Sequence, residues 1–78
     1  MKAGQIVKST AGRDKNTFFV VTKVEGACAT ICDGKHRPLE KQKTKKLKHL
    51  SETSYEADLT KIKTNKEFRR VLHQFNFE

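Results

Sequence analysis

Gly4-Gln5-Ile6-Val7-Lys8-Ser9-Thr10-Ala11-Gly12-Arg13-Asp14-Lys15 runs, after Asn16-Thr17, into Phe18-Phe19-Val20-Val21. Two β-branched or aromatic runs flank a polar segment that holds a glycine and three charges. That order reads as two strands joined by a basic loop. Residues 4–11, with Ile6, Val7 and Thr10, supply the first strand. In the loop, Gly12 takes positive φ without penalty and Asn16 tolerates it better than most residues. Phe18 to Glu25 is the strongest strand pattern in the chain. Phe18, Val20, Thr22 and Val24 share one face, and Phe19, Val21 and Lys23 the other. Apolar residues on both faces at its start require cover from two sides.

Outward from this pair, Gly26-Ala27 makes a short turn and Cys28 to Cys32 reads as a third strand. Asp33-Gly34 signals a two-residue hairpin of primed type. A fourth strand should then start at Lys35-His36-Arg37-Pro38-Leu39, where Pro38 restricts it to a strand end or an exposed edge. Residues 45–50 supply the fifth strand. Short strands with close turn signals predict a mainly β fold, a small barrel or sandwich, and closure would remove exposed edges. The expected division is a β head over residues 1–52, then a linker and a C-terminal amphipathic α-helix over 53–78.

Residues 51–63 read as polar and irregular. Thr64 and Glu67 have capping-box spacing, which satisfies two free amides at a helix start. Phe68, Val71, Leu72 and Phe75 then fall at i, i+3, i+4 and i+7, one apolar stripe. Alone in water so short a helix is marginal, so it needs an apolar bed. The Phe19 and Val21 face of the second strand is the expected one.

Seventy-eight residues at 35% hydrophobic content make one domain with a thin interior. Such a chain usually needs a staple, very good packing or a partner. Charge points to the partner. Residues 1–50 carry twelve Lys and Arg against four acids, which accounts for the whole net charge of +8; residues 51–78 are neutral. The cationic surplus draws the first fifty residues toward polyanions. No apolar run approaches the length of a membrane span, and no apolar signal region opens the chain, so a cytoplasmic location is expected.

Two sets of cations stand out. Lys8, Arg13, Lys15, Lys35, His36 and Arg37 cluster if the loop after the first strand and the loop after the third lie at one end of the fold. Cations beside a tight turn with exposed amides suit phosphate; the bland alternative is a solvated loop. Lys41, Lys43 and Lys45 would fall on one side of an extended segment, Lys46 and Lys48 on the other. A lysine ladder also protects a sheet edge, but five lysines in eight residues favour polyanion binding by counterion release. The aromatics Phe18, Phe19, Tyr55, Phe68, Phe75 and Phe77 sit mostly in apolar stripes, which argues for reading backbone and shape rather than bases.

Gly4 to Val7, Ala11 to Lys15, Phe18 to Val21, Asp33-Gly34 and Lys45-Lys46-Leu47-Lys48-His49-Leu50 together resemble the KOW-domain RNA-binding proteins of Gram-positive bacteria. That family is similar to certain archaeal and eukaryotic large-subunit ribosomal proteins. The resemblance covers about the first fifty residues. It implies a five-stranded SH3-like barrel, RNA binding and contact with the ribosome. Gly12 would be the motif glycine, Arg13 and Lys15 its loop cations. Asn16 stands where such sequences often carry a second glycine.

Cys28 and Cys32 lie about 13 Å apart on a strand, too far for a disulfide or one tetrahedral metal without a bend. With His36 and His49 they make a poor zinc set, so core thiols are the default. No nucleophile elbow, phosphate-binding glycine loop or close carboxylate pair is present, so an enzyme, a cofactor and a small-molecule substrate are not expected. The expected partner is RNA, ribosomal RNA above all, together with ribosomal proteins. The competing reading is a protein-interaction adaptor acting through the terminal helix on the ribosome or transcription machinery.

Overall fold

The computed structural model describes residues 1–76 and is mainly β. Phe77, one of the aromatics noted above, lies outside the described residues. The strands are β1 (Gln5–Ser9), β2 (Phe18–Glu25), β3 (Cys28–Cys32), β4 (Lys43–Lys46) and β5 (Leu50–Glu56), followed by the helix α1 (Asn65–Asn76). They form one antiparallel sheet in the order β4-β3-β2-β1-β5. Two short 3-10 turns, Leu39–Lys41 and Leu47–His49, flank β4. The second carries the chain from one edge strand to the other. Its Leu47 amide donates to the Ala27 carbonyl (2.8 Å), and its His49 carbonyl accepts from the Thr10 amide (2.9 Å).

Strand alternation divides the apolar residues between two cores. Val7, Phe19, Val21, Ala29, Ile31 and Leu50 fill one face, joined by Met1, Val24 and Leu47. Ile6, Val20 and Cys32 face the other way and are roofed by Phe68 and Leu72 of α1, with Ala57, Leu59 and Ile62 from the connecting segment. The adjacent residues Ile6 and Val7 are both buried because β1 is interior to the sheet and both of its faces are covered. The double-sided cover expected at the start of β2 is present.

The helix bed differs from the expected one. α1 lies on Val20, whereas Phe19 and Val21 belong to the opposite core. Val24 also changes sides relative to the alternation expected for β2. The register shifts between Val21 and Lys23, where Thr22 is an extra residue without a Cα partner in β3. An inserted residue reverses the facing of everything after it. Val24 therefore pairs with Ala29 and joins the Phe19 core.

Three further expectations are corrected. Asp33-Gly34 is not a primed hairpin, because both primed types need positive φ at the first central residue and Asp33 lacks it. The Asp33 carboxylate instead accepts from the Lys35 and Arg37 amides (2.9 and 2.8 Å), folding the loop on itself. Residues 35–39 consequently form no strand; β4 begins only at Lys43, and the segment expected as the fifth strand is the end of β4, a 3-10 turn and the first residue of β5. Residues 51–56, read as irregular, belong to β5, which runs past the boundary expected at residue 52. Apart from Leu50 and Tyr55, β5 is polar, and beyond Leu50 it is largely exposed, so pairing with β1, not burial, makes it a strand. The capping box is present: Glu67 accepts from the Lys63 and Thr64 amides, and the Glu67 amide donates to Thr64 Oγ1.

Candidate nucleic-acid interface

The loop between β1 and β2 closes through short backbone bonds, Asn16 to the Ser9 carbonyl (2.7 Å) and Thr17 to the Asp14 carbonyl (2.9 Å). Gly12 (φ 78°) and Asn16 (φ 73°) both occupy the left-handed region, so the asparagine does keep a glycine-like turn. The loop after β3 closes through Asp33, as above. An ion pair joins them: the Arg37 guanidinium donates to Asp14 Oδ2 from Nη2 (3.1 Å) and Nε (3.3 Å). Two loops more than twenty residues apart in sequence are thereby held side by side.

This pairing sorts the expected site residues. Gly12, Arg13, Lys15, Lys35 and His36 are exposed on the joined loops. Arg37 is occupied in holding them together. Lys8 is half-buried on β1, its ammonium 5.7 Å from the centre of the Phe18 ring. The lysine run divides more sharply. Lys41, Lys43, Lys46 and Lys48 are exposed, but only Lys43 to Lys46 is extended. Lys45 turns inward, and its ammonium donates to Ser9 Oγ (3.1 Å) and the Ala11 carbonyl (2.8 Å), tying the β4 edge to the end of β1. Among the described residues, Arg13, Lys15, Lys35, Lys41, Lys43, Lys46 and Lys48 have no ion pair. Several acids lie elsewhere: Glu52 pairs with the Met1 ammonium, Glu56 with Lys2 and Glu25 with Lys23.

Sequence reasoning missed the contribution of α1. Arg69 donates to the Gly34 carbonyl (2.8 Å), and Asn65 accepts from the Leu39 amide (2.8 Å) while donating to Glu40 (2.7 Å). That last bond holds the Glu40 carboxyl below its ordinary pKa. The first turns of the helix are therefore stapled to the basic loop. Between them opens a cleft of about 450 Å³ lined by Asn16, Thr17, Lys35, His36, Arg69 and Phe75, among others. Neither i, i+4 spacing nor composition marks Arg69 as part of such a cleft; only the docking of α1 brings it there.

Tyr55 is the one large apolar side chain left exposed among the described residues, at 57%. Its ring meets Phe75 edge-on (5.2 Å between centroids), and Phe75 in turn meets Phe18 (5.3 Å). Opposite Gln5 to Val7, β5 carries two extra residues, and this irregularity places Tyr55 there.

Cys28 is half-buried and Cys32 buried, both as free thiols, and burial pushes the Cys32 thiol upward. Among the described residues, no group of three or more His, Cys, Asp or Glu side chains is placed to hold a metal ion. No described helix is long and apolar enough to cross a membrane. No protein-family model matches the sequence, and no curated protein matches it significantly.

Proposed function

We propose that this chain is a non-catalytic RNA-binding module of the KOW type, built on a five-stranded SH3-like barrel, that grips ribosomal RNA through its phosphates. The observation that supports the reading is the Asp14–Arg37 clasp, which joins the loop that carries Arg13 and Lys15 to the loop that carries Lys35 and His36, all four exposed. A rim of solvated cations near backbone turns suits a phosphate chain better than it suits an apolar ligand. The strand order and the 3-10 turn joining the two edge strands support the barrel. Lys45 adds a side-chain tie between β4 and β1 across the same gap. Lys41, Lys43, Lys46 and Lys48 extend the cationic surface along and beside the β4 edge.

The adaptor reading draws less support. The apolar stripe of α1 is largely spent on the sheet, with Phe68 and Leu72 buried and Val71 and Phe75 partly so, which leaves too little apolar face for a partner protein. The test is a salt titration of binding to ribosomal RNA fragments. Affinity should fall linearly on a log–log plot with a slope of roughly −0.7 to −0.9 per phosphate contacted. A flat response would defeat the phosphate mechanism.

A further inference from the structure

We infer that the cleft between α1 and the two basic loops seats one unpaired nucleotide of the bound RNA, its phosphate on Lys35 and Arg69 and its base against Phe75. This rests on the RNA-binding reading above and goes beyond it, since that reading needs only the outer rim.

Size supports this first. At about 450 Å³ the cleft falls within the span of small-molecule sites, roughly 300–1,000 Å³, which is room enough for a nucleotide. Its chemistry is divided in the way a nucleotide is. Lys35 from the loop and Arg69 from the helix bring two cations to the lining, side by side, since Arg69 donates to the carbonyl of the neighbouring Gly34. Phe75 supplies an apolar wall, backed by buried Leu72, and Asn16, whose amide is able both to donate and to accept, lines the same space as a reader of a base edge. Asp33 also lines the cleft, but its carboxylate is buried and already accepts two backbone amides, which offsets its repulsion of a phosphate.

Continuity is the second argument. Phe75 borders the cleft on one side and Tyr55 and Phe18 on the other, so the apolar wall continues onto the surface. Tyr55, outside the cleft and in edge contact with Phe75, is an exposed, ring-supported platform on which a neighbouring base stacks, and Lys8 beside Phe18 is available for the next phosphate. A duplex offers neither an extruded base nor a free ring face, so the cleft makes the protein prefer single-stranded segments.

The test compares a short single-stranded oligoribonucleotide with a blunt RNA duplex of equal phosphate count, using the full chain. Lys35→Glu should weaken both RNAs, since Lys35 also belongs to the rim, but the single strand by roughly tenfold more than the duplex; Tyr55→Ala should weaken the single strand by a similar factor with little loss on the duplex. Lys46→Glu, outside the cleft, should lower both RNAs alike. Lys35 and Tyr55 are exposed, so both variants should fold, which circular dichroism checks. If Lys35→Glu and Lys46→Glu act equally on both RNAs, the cleft is not a nucleotide seat and the rim reading survives. If neither RNA binds the unaltered protein, both readings fall.

Discussion

Arg37 holds Asp14 through two donors on one carboxylate oxygen, across loops that, among the described residues, share no backbone hydrogen bond. Asp14 is only 8% exposed, so removing the guanidinium strands a nearly buried charge. Arg37→Ala should cost about 2 kcal/mol, below the range for a fully buried pair because the Arg37 side chain keeps some solvent. Asp14→Asn separates geometry from charge. It removes a negative charge from a cationic rim, so simple attraction would strengthen RNA binding; loss of the clasp should weaken it instead. Filter binding of both variants beside urea denaturation decides between these.

Gly34 meets α1 more tightly than its neighbours in sequence suggest. It has φ +75°, and a Cβ there would lie 2.2 Å from the Asn65 carbonyl oxygen, which belongs to backbone and cannot swing away. Gly34→Ala should destabilise by about 3 kcal/mol, combining left-handed strain with displacement of the helix start. Gly26, at φ +57° in open space, isolates the strain alone. Gly26→Ala should cost only about 1 kcal/mol. Equal urea midpoints for the two variants would contradict the helix contact.

α1 is structural rather than appended. Phe68 is 2% exposed and packs with Ile6, Val20 and Cys32, so Phe68→Ala should cost about 3–5 kcal/mol. Limited proteolysis should leave residues 64–76 uncut in the unaltered protein and expose them in the variant.

How far these features could be read from the chain follows from where their causes lie. β1, β2, β3 and the capped helix are written in local alternation and in the Thr64–Glu67 spacing, and they were legible. β4 and β5 were not. Lys43-Thr44-Lys45-Lys46 and Ser51-Glu52-Thr53-Ser54 have no apolar period; they become strands because β3 and β1 offer them unpaired edges. The inserted Thr22 inverts the facing of Val24 with no sequence mark, and Phe19 and Val20, which precede it, are both fully buried, so the local pattern does not choose which of them the helix covers. At the rim, residue types announced the cations but not their occupation: Lys45 and Arg37 look like Lys46 and Arg13 until Ser9 and Asp14 are seen beside them.

The Cys32 thiol gives a pH signature. Burial raises its pKa, aided by the nearby Asp33 and Glu40 charges and opposed by a hydrogen bond from the Gly34 backbone. The unfolded thiol ionises first, near 8.5, so the folded state binds more protons above that pH. The contribution is full below the unfolded value and is lost as pH rises toward the folded one. The stability gap between the unaltered protein and Cys32→Ala should therefore narrow from neutral to about pH 10. Thiol labelling at neutral pH should modify half-buried Cys28 well before Cys32.

Adjacent lysines on β4 should respond in opposite ways to one substitution. Lys45 is half-buried and its ammonium satisfies Ser9 Oγ and the Ala11 carbonyl, next to the Gly12 turn. Lys45→Met keeps the aliphatic stem but leaves those acceptors without the donor, and should cost about 1–2 kcal/mol of stability. It should also loosen the Arg13–Lys15 loop, so RNA affinity falls through geometry. Lys46 is exposed with no ion pair among the described residues, so Lys46→Met should change stability by no more than about 0.5 kcal/mol. On RNA it should act through charge alone, lowering the log–log salt slope by about one unit while affecting different sequences equally. Denaturation and salt titration of both variants give a cross-over. Were Lys45→Met stable and Lys46→Met unstable, or were both to shift the slope without touching stability, the inward turn of Lys45 would not hold in solution.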